Sequence, residues 1–73
     1  MAKPTLSPDL PLGERLLKIR AWRKMTLKTL HEQAHVGIGT ISDIENGIRQ
    51  PNTTTLIKLA KALRVSLNTL TGA

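Results

Sequence analysis

The 73-residue sequence has no cysteine, phenylalanine or tyrosine, and Trp22 is its only aromatic residue. Without cysteine, neither a disulfide nor a thiolate metal site can supplement a small core, and the chain suits a reducing cytoplasm. Its apolar residues are almost all Leu, Ile, Ala and Val. That set packs short helices well and lacks the aromatic content of a β-sandwich. Acids are also scarce, with five Asp and Glu against eleven Lys and Arg for a formal charge of +6; such a field attracts polyanions. No apolar run approaches the ~20 residues of a membrane span, and Met1-Ala2-Lys3-Pro4 is not followed by a signal-peptide core. What remains is one small all-α cytoplasmic domain held by packing, with little room for a substrate cleft. A domain of this size buries only about 60 % of the surface its unfolded chain exposes.

The charge is uneven. Between Leu12 and Lys28, the bases Arg15, Lys18, Arg20, Arg23, Lys24 and Lys28 face a single acid, Glu14. Between His31 and Gly47 only Glu32, Asp43 and Glu45 are charged. The first eleven residues, MAKPTLSPDLP, carry three prolines and no periodicity, and read as a flexible arm over 1–11. A first helix is expected from Leu12 to about Arg23, with Pro11 in its first turn and Leu12, Leu16, Ile19 and Trp22 on one face, the bases lying mostly elsewhere. Thr26 is a good N-cap for a second helix over Leu27 to Ala34. Gly37 can open a third, Ile38 to about Asn46, with Gly47 where a left-handed residue is wanted. Pro51 blocks continuation, Asn52 or Thr53 can cap a leucine-rich fourth helix, and Ser66 a short fifth containing Leu67 and Leu70.

The second helix, turn and third helix together have the size of a helix-turn-helix. The segment LGERLLKIRAWRKMTLKTLHEQAHVGIGTISDIENGIRQPNTTTLIKLAKALRVSLNTL, Leu12 to Leu70, resembles the lambda-repressor/Cro-like, or XRE-type, helix-turn-helix DNA-binding domain. The most specific pieces are TISDIENG, the proline that follows at Pro51, and TLIKLAKALRVSLNTL. The resemblance implies a compact five-helix bundle over 12–70, followed by a short tail over 71–73, with the third helix in the major groove of double-stranded DNA. It also implies an ion pair between Arg20 and Glu45 that anchors the reading helix. Gly37, Ile38, Gly39, Thr40 and Asp43 would face the groove, and Thr26, Lys28, Arg49, Gln50 and Asn52 the phosphate backbone. Ile38 and Thr40 suit thymine methyls, Asp43 a cytosine amino group, and Arg49 a phosphate or the minor groove. The implied activity is that of a repressor-like transcriptional regulator acting as a homodimer through the C-terminal helices around Leu67 and Leu70, on half-sites about one helical turn apart. The groove-facing set is poor in the amides and guanidinium groups that read base edges. A second reading is therefore an antitoxin-like or adaptor module that keeps the fold and binds a protein partner, with an additional C-terminal domain also possible.

His31-Glu32-Gln33-Ala34-His35 spells H-E-x-x-H, the spacing by which a helix offers two imidazoles to zinc. A catalytic zinc needs three protein ligands, and no other His or Cys exists in the chain. Neither a metal nor a cofactor is expected, nor an enzymatic activity. Both histidines depart from the family pattern, His31 from a small residue and His35 from a glycine at positive φ. Histidine is among the few side chains enriched in the left-handed region, and His31 reads as a structural residue with a hydrogen-bond partner.

Overall fold

The computed structural model describes Leu6, Ser7 and residues 9–72. Five helices follow in order, α1 (Leu12–Trp22), α2 (Leu27–Ala34), α3 (Ile38–Glu45), α4 (Thr53–Leu63) and α5 (Leu67–Thr71), with no strand among the described residues. Three of them start on side-chain caps. The Thr26 hydroxyl accepts from the Thr29 N–H at 3.0 Å, the Asn52 carbonyl from Thr55 at 2.8 Å, and the Ser66 hydroxyl from Thr69 at 3.0 Å. Each cap stabilises its helix by about 1 kcal/mol relative to alanine. Pro11 is the N-cap of α1, one residue before the first turn where it was expected. Arg23 and Asn46 are the C-caps of α1 and α3, so both helices stop one residue earlier than their periodicity suggested. His35 and Arg64 close α2 and α4 in the left-handed region, both at φ 57°, and Gly47 turns the chain after α3 at φ 75°.

The core joins Leu16 and Ile19 of α1, Leu30 and Ala34 of α2, Ile41 and Ile44 of α3, Leu59, Ala60 and Leu63 of α4, Leu70 of α5, and Val36 in the turn. α3 is seated on α1 and α2, α2 also packs on α4, and α5 bridges α1 and α4. Leu70 is fully buried in this core, so it cannot belong to a dimer patch, whereas Leu67 stays exposed. In a five-residue helix the periodicity is too short to tell these two leucines apart. The arm also differs from expectation where it is described. Leu6 packs against the core and the Ser7 carbonyl accepts a 2.7 Å hydrogen bond from Arg15 Nη1; residues 1–5 and 8 of that arm, and Ala73 of the tail, lie outside the described residues. Thr71 belongs to α5, so the helical domain extends one residue past Leu70.

α1 and its C-cap carry three arginines that each serve another helix. Arg15, only 5 % exposed, sends Nη2 to the Thr69 carbonyl in α5 at 3.2 Å, and its guanidinium lies where a Cβ on Gly72 would collide with it. Its Nε is buried with no hydrogen-bond partner among the described residues. Arg20 reaches the end of α3, where Nε and Nη2 bond both oxygens of Glu45 at 2.7 and 3.0 Å, while Nη1 donates to the Met25 carbonyl at 2.9 Å. Arg23 lies over the Trp22 ring and donates to the Leu63 and Arg64 carbonyls at 2.7 and 2.9 Å, closing the end of α4. Half of the basic cluster read from the Leu12–Lys28 stretch is thus structural. These guanidinium groups complement helix C-termini, where cations are favourable, and are not free for a polyanion.

Candidate nucleic-acid interface

α3 is fixed at one end and open at the other. At its C-terminal end the Arg20–Glu45 fork is largely shielded, with the two side chains 15 % and 8 % exposed. Beside it, the backbone of α1 passes so close that a Cβ on Gly13 would meet the Ile44 and Glu45 carbonyl oxygens. Ile41 and Ile44 face the core. At the other end Gly37, Ile38 and Gly39 are exposed and Thr40 half-buried. Gly37 provides no side-chain cap, so the first-turn N–H groups of α3 are left for water or an external acceptor.

The charges on α3 are both engaged. Glu45 is held by Arg20, and Asp43 lies 3.7 Å from Arg49 Nε in a half-exposed pair. The loop folds back to make that second contact, its Ile48 and Arg49 N–H groups both donating to the Asp43 carbonyl, at 2.8 and 3.3 Å. The exposed face of α3 is therefore close to neutral, although both charged residues of the helix are acidic. An exposed ion pair of this geometry is worth roughly 0–1 kcal/mol, so Asp43 restrains Arg49 only weakly and the guanidinium can reach a phosphate while remaining close enough to offset the carboxylate.

The structure brings Asp43, Arg49 and the loop together and places Thr40 next to Gly37. Gln50 and Lys28 are exposed and their side chains make no hydrogen bond or salt bridge among the described residues, and Thr26 and Asn52 are already occupied as caps. The Asn52 cap uses only its carbonyl oxygen, which leaves its NH₂ free to donate. Ile48, 74 % exposed beside Arg49, is a member of this surface that sequence reasoning missed. Its signal was a lone large apolar residue inside the polar loop NGIRQPN.

The H-E-x-x-H residues serve the turn. The His31 ring bonds the Val36 carbonyl through Nδ1 at 2.7 Å, and because a carbonyl can only accept, Nδ1 carries the proton. His35 has left the helix at φ 57°. Among the described residues no group of three His, Cys, Asp or Glu is placed to hold a metal ion.

A short exposed helix seated across a preceding helix, with the scaffold clamping its far end, defines a helix-turn-helix domain. The chain belongs to the helix-turn-helix family, whose sequence profile matches residues 16–70. It is 39 % identical over 64 residues to the uncharacterized HTH-type transcriptional regulator RghRB of Bacillus subtilis, covering 86 % of this chain and 46 % of that protein. Over 61 residues it is 36 % identical to the HTH-type transcriptional regulator ImmR of the same organism, covering 84 % and 48 %. The chain spans about half the length of these curated relatives. Among solved structures it is similar to the restriction-modification controller protein C.AhdI from Aeromonas hydrophila, with a TM-score of 0.80, 25 % identity, and coverage of 82 % of this chain and 91 % of that one. The clp gene regulator ClgR from C. glutamicum superposes with a TM-score of 0.77 at 27 % identity, over 90 % and 86 % of the two chains.

Proposed function

We propose that the domain binds double-stranded DNA as a cytoplasmic transcriptional regulator, with α3 in the major groove and Arg49, Gln50, Asn52, Lys28 and the start of α2 on the phosphate backbone. The observation that carries this reading is α3 itself, pinned by Arg20 at one end and bare, uncapped and neutral at the other. Ile38 and the Thr40 methyl suit thymine methyls, and Gly37 and Gly39 let the helix backbone approach closely. Regulation by repression and a homodimer seated on α5 around Leu67 belong to the same proposal. No helix among the described residues is long and apolar enough to cross a membrane.

Gly39 provides a test with two readouts of opposite sign. A Cβ added there meets nothing within 4 Å, so the fold itself does not require glycine. Gly39→Ala is expected to stabilise the domain by about 0.4–1 kcal/mol, chiefly by restricting the unfolded chain. The same methyl standing between helix and groove should weaken DNA binding by roughly tenfold, the scale of one disturbed base position. A stabilised variant with undiminished affinity would place Gly39 away from the DNA.

Arg49→Ala is expected to weaken binding to all sequences alike and to reduce the slope of log K against log salt by about one. Ile38 and Thr40 substitutions should instead change which sequence is preferred. Filter binding at several salt concentrations separates the two classes, and an unchanged slope for Arg49→Ala would contradict the docking.

A further inference from the structure

With Arg15, Arg20 and Arg23 committed to the fold, the densest remaining group of cations lies away from α3. The end of α2 and the C-terminal half of α4 flank an open cleft of about 370 Å³, lined by the small residues Ala34 and Ala62 and by His35, Lys58, Lys61 and Arg64. That volume lies within the ~300–1,000 Å³ range of small-molecule sites. No carboxylate lines it, and the side chains of Lys58, Lys61 and Arg64 make no hydrogen bond or salt bridge among the described residues. Cations near a helix C-terminus ordinarily complement its carbonyls, but here Arg23 already donates to the Leu63 and Arg64 carbonyls. The three heads are thus surplus to closing α4. None of the residues assigned above to the DNA surface lines this cleft.

We infer that the α2–α4 cleft is an anion site for clustered phosphate groups, separate from the reading surface. Three cations lining one acid-free cleft favour a polyphosphate over a monoanion, since each added oxyanion gains a charge-assisted hydrogen bond. The phosphates can come from a free phosphorylated compound or from the backbone of a nucleic acid.

The test is to titrate ¹⁵N-labelled protein with sodium tripolyphosphate at constant ionic strength and follow the backbone amides. Saturable shifts confined to residues 33–35 and 58–64 are expected. The combined variant Lys58→Gln, Lys61→Gln, Arg64→Asn should weaken the apparent affinity by about tenfold or more as its charge-assisted bonds are lost. Asparagine is used at 64 because it tolerates the left-handed conformation. Unsaturating shifts spread over Lys18, Lys24 and Lys28, or saturable shifts that survive the combined variant, would overturn the site. Should the variant fold poorly, the map of wild-type shifts decides alone. The two phosphate sources separate on a random duplex: a salt slope reduced by about two to three in the variant assigns the cleft to the DNA backbone, and an unchanged slope to a free compound. Because tripolyphosphate reads the cleft without DNA, failure here leaves the α3 reading untouched.

Discussion

Arg20→Ala is expected to destabilise the domain by about 3–5 kcal/mol, the usual cost of removing one member of a buried ion pair. The pair is bidentate, at 2.7 and 3.0 Å, and Arg20 Nη1 also satisfies the Met25 carbonyl at 2.9 Å. Alanine would leave the Glu45 carboxylate, 8 % exposed, with no cation. Against a total stability of about 5–15 kcal/mol for ordinary domains, and a size that favours the lower end, most of the folded population is at stake. Urea denaturation reads the effect directly. Arg20→Lys should recover only part of it, because an ammonium group lacks the planar fork that holds both carboxylate oxygens. In the double variant Arg20→Ala, Glu45→Ala the loss should fall well short of the sum of the single losses, as expected for groups in direct contact. A loss below about 1 kcal/mol for Arg20→Ala would show that water, and not the arginine, supports Glu45.

Gly13→Ala is expected to destabilise by about 1–3 kcal/mol through overpacking, although in an open helix the same change would be favourable by up to about 1 kcal/mol. The clash decides the sign. The new methyl would meet the Ile44 oxygen and lie 2.6 Å from the Glu45 oxygen, and these backbone atoms cannot rotate aside. α1 would have to move off the end of α3, disturbing the Arg20–Glu45 fork as well. Gly13→Ala should therefore lower both the melting temperature and DNA affinity, in contrast to Gly39→Ala. An unchanged melting temperature would mean that α1 and α3 are looser than the structure indicates.

Much of the fold was legible because its signals are local. Thr26 and Ser66 announce their helices through hydrogen bonds to residues three positions on, and the choice left open between Asn52 and Thr53 resolves in favour of the stronger acceptor at the position before the apolar stripe. At His35 the left-handed conformation follows from the resemblance, which places a glycine at positive φ there, and histidine tolerates that region. The hidden features all depend on partners distant in sequence. Arg15 and Arg23 were counted as surface charge, since their partners are backbone carbonyls that any residue can provide, 54 and 40 positions away. Gly13 carries no pattern of its own, and its requirement exists only once α3 lies across α1. Leu70 and Leu67 differ in burial because α5 turns only Leu70 into the core, which a five-residue segment cannot encode.

On the candidate surface, the pairing of charges was not legible in the sequence. Gly37, Ile38, Gly39, Thr40 and Asp43 were named from the resemblance, and the structure leaves the first three exposed. The apparent acidity of α3 disappears once Glu45 turns inward to Arg20 and Asp43 meets Arg49. Ile48 escaped notice because loop residues have no periodicity from which exposure can be read.

The measurement that tests the central claim most directly is fluorescence anisotropy of a labelled random-sequence duplex titrated with the protein at several salt concentrations. A steep log–log dependence, equivalent to several released counterions, with affinity reduced by both Arg49→Ala and Gly39→Ala, is the predicted result. No binding at low salt by a folded protein would contradict it, and would leave α3 as a surface for a protein partner.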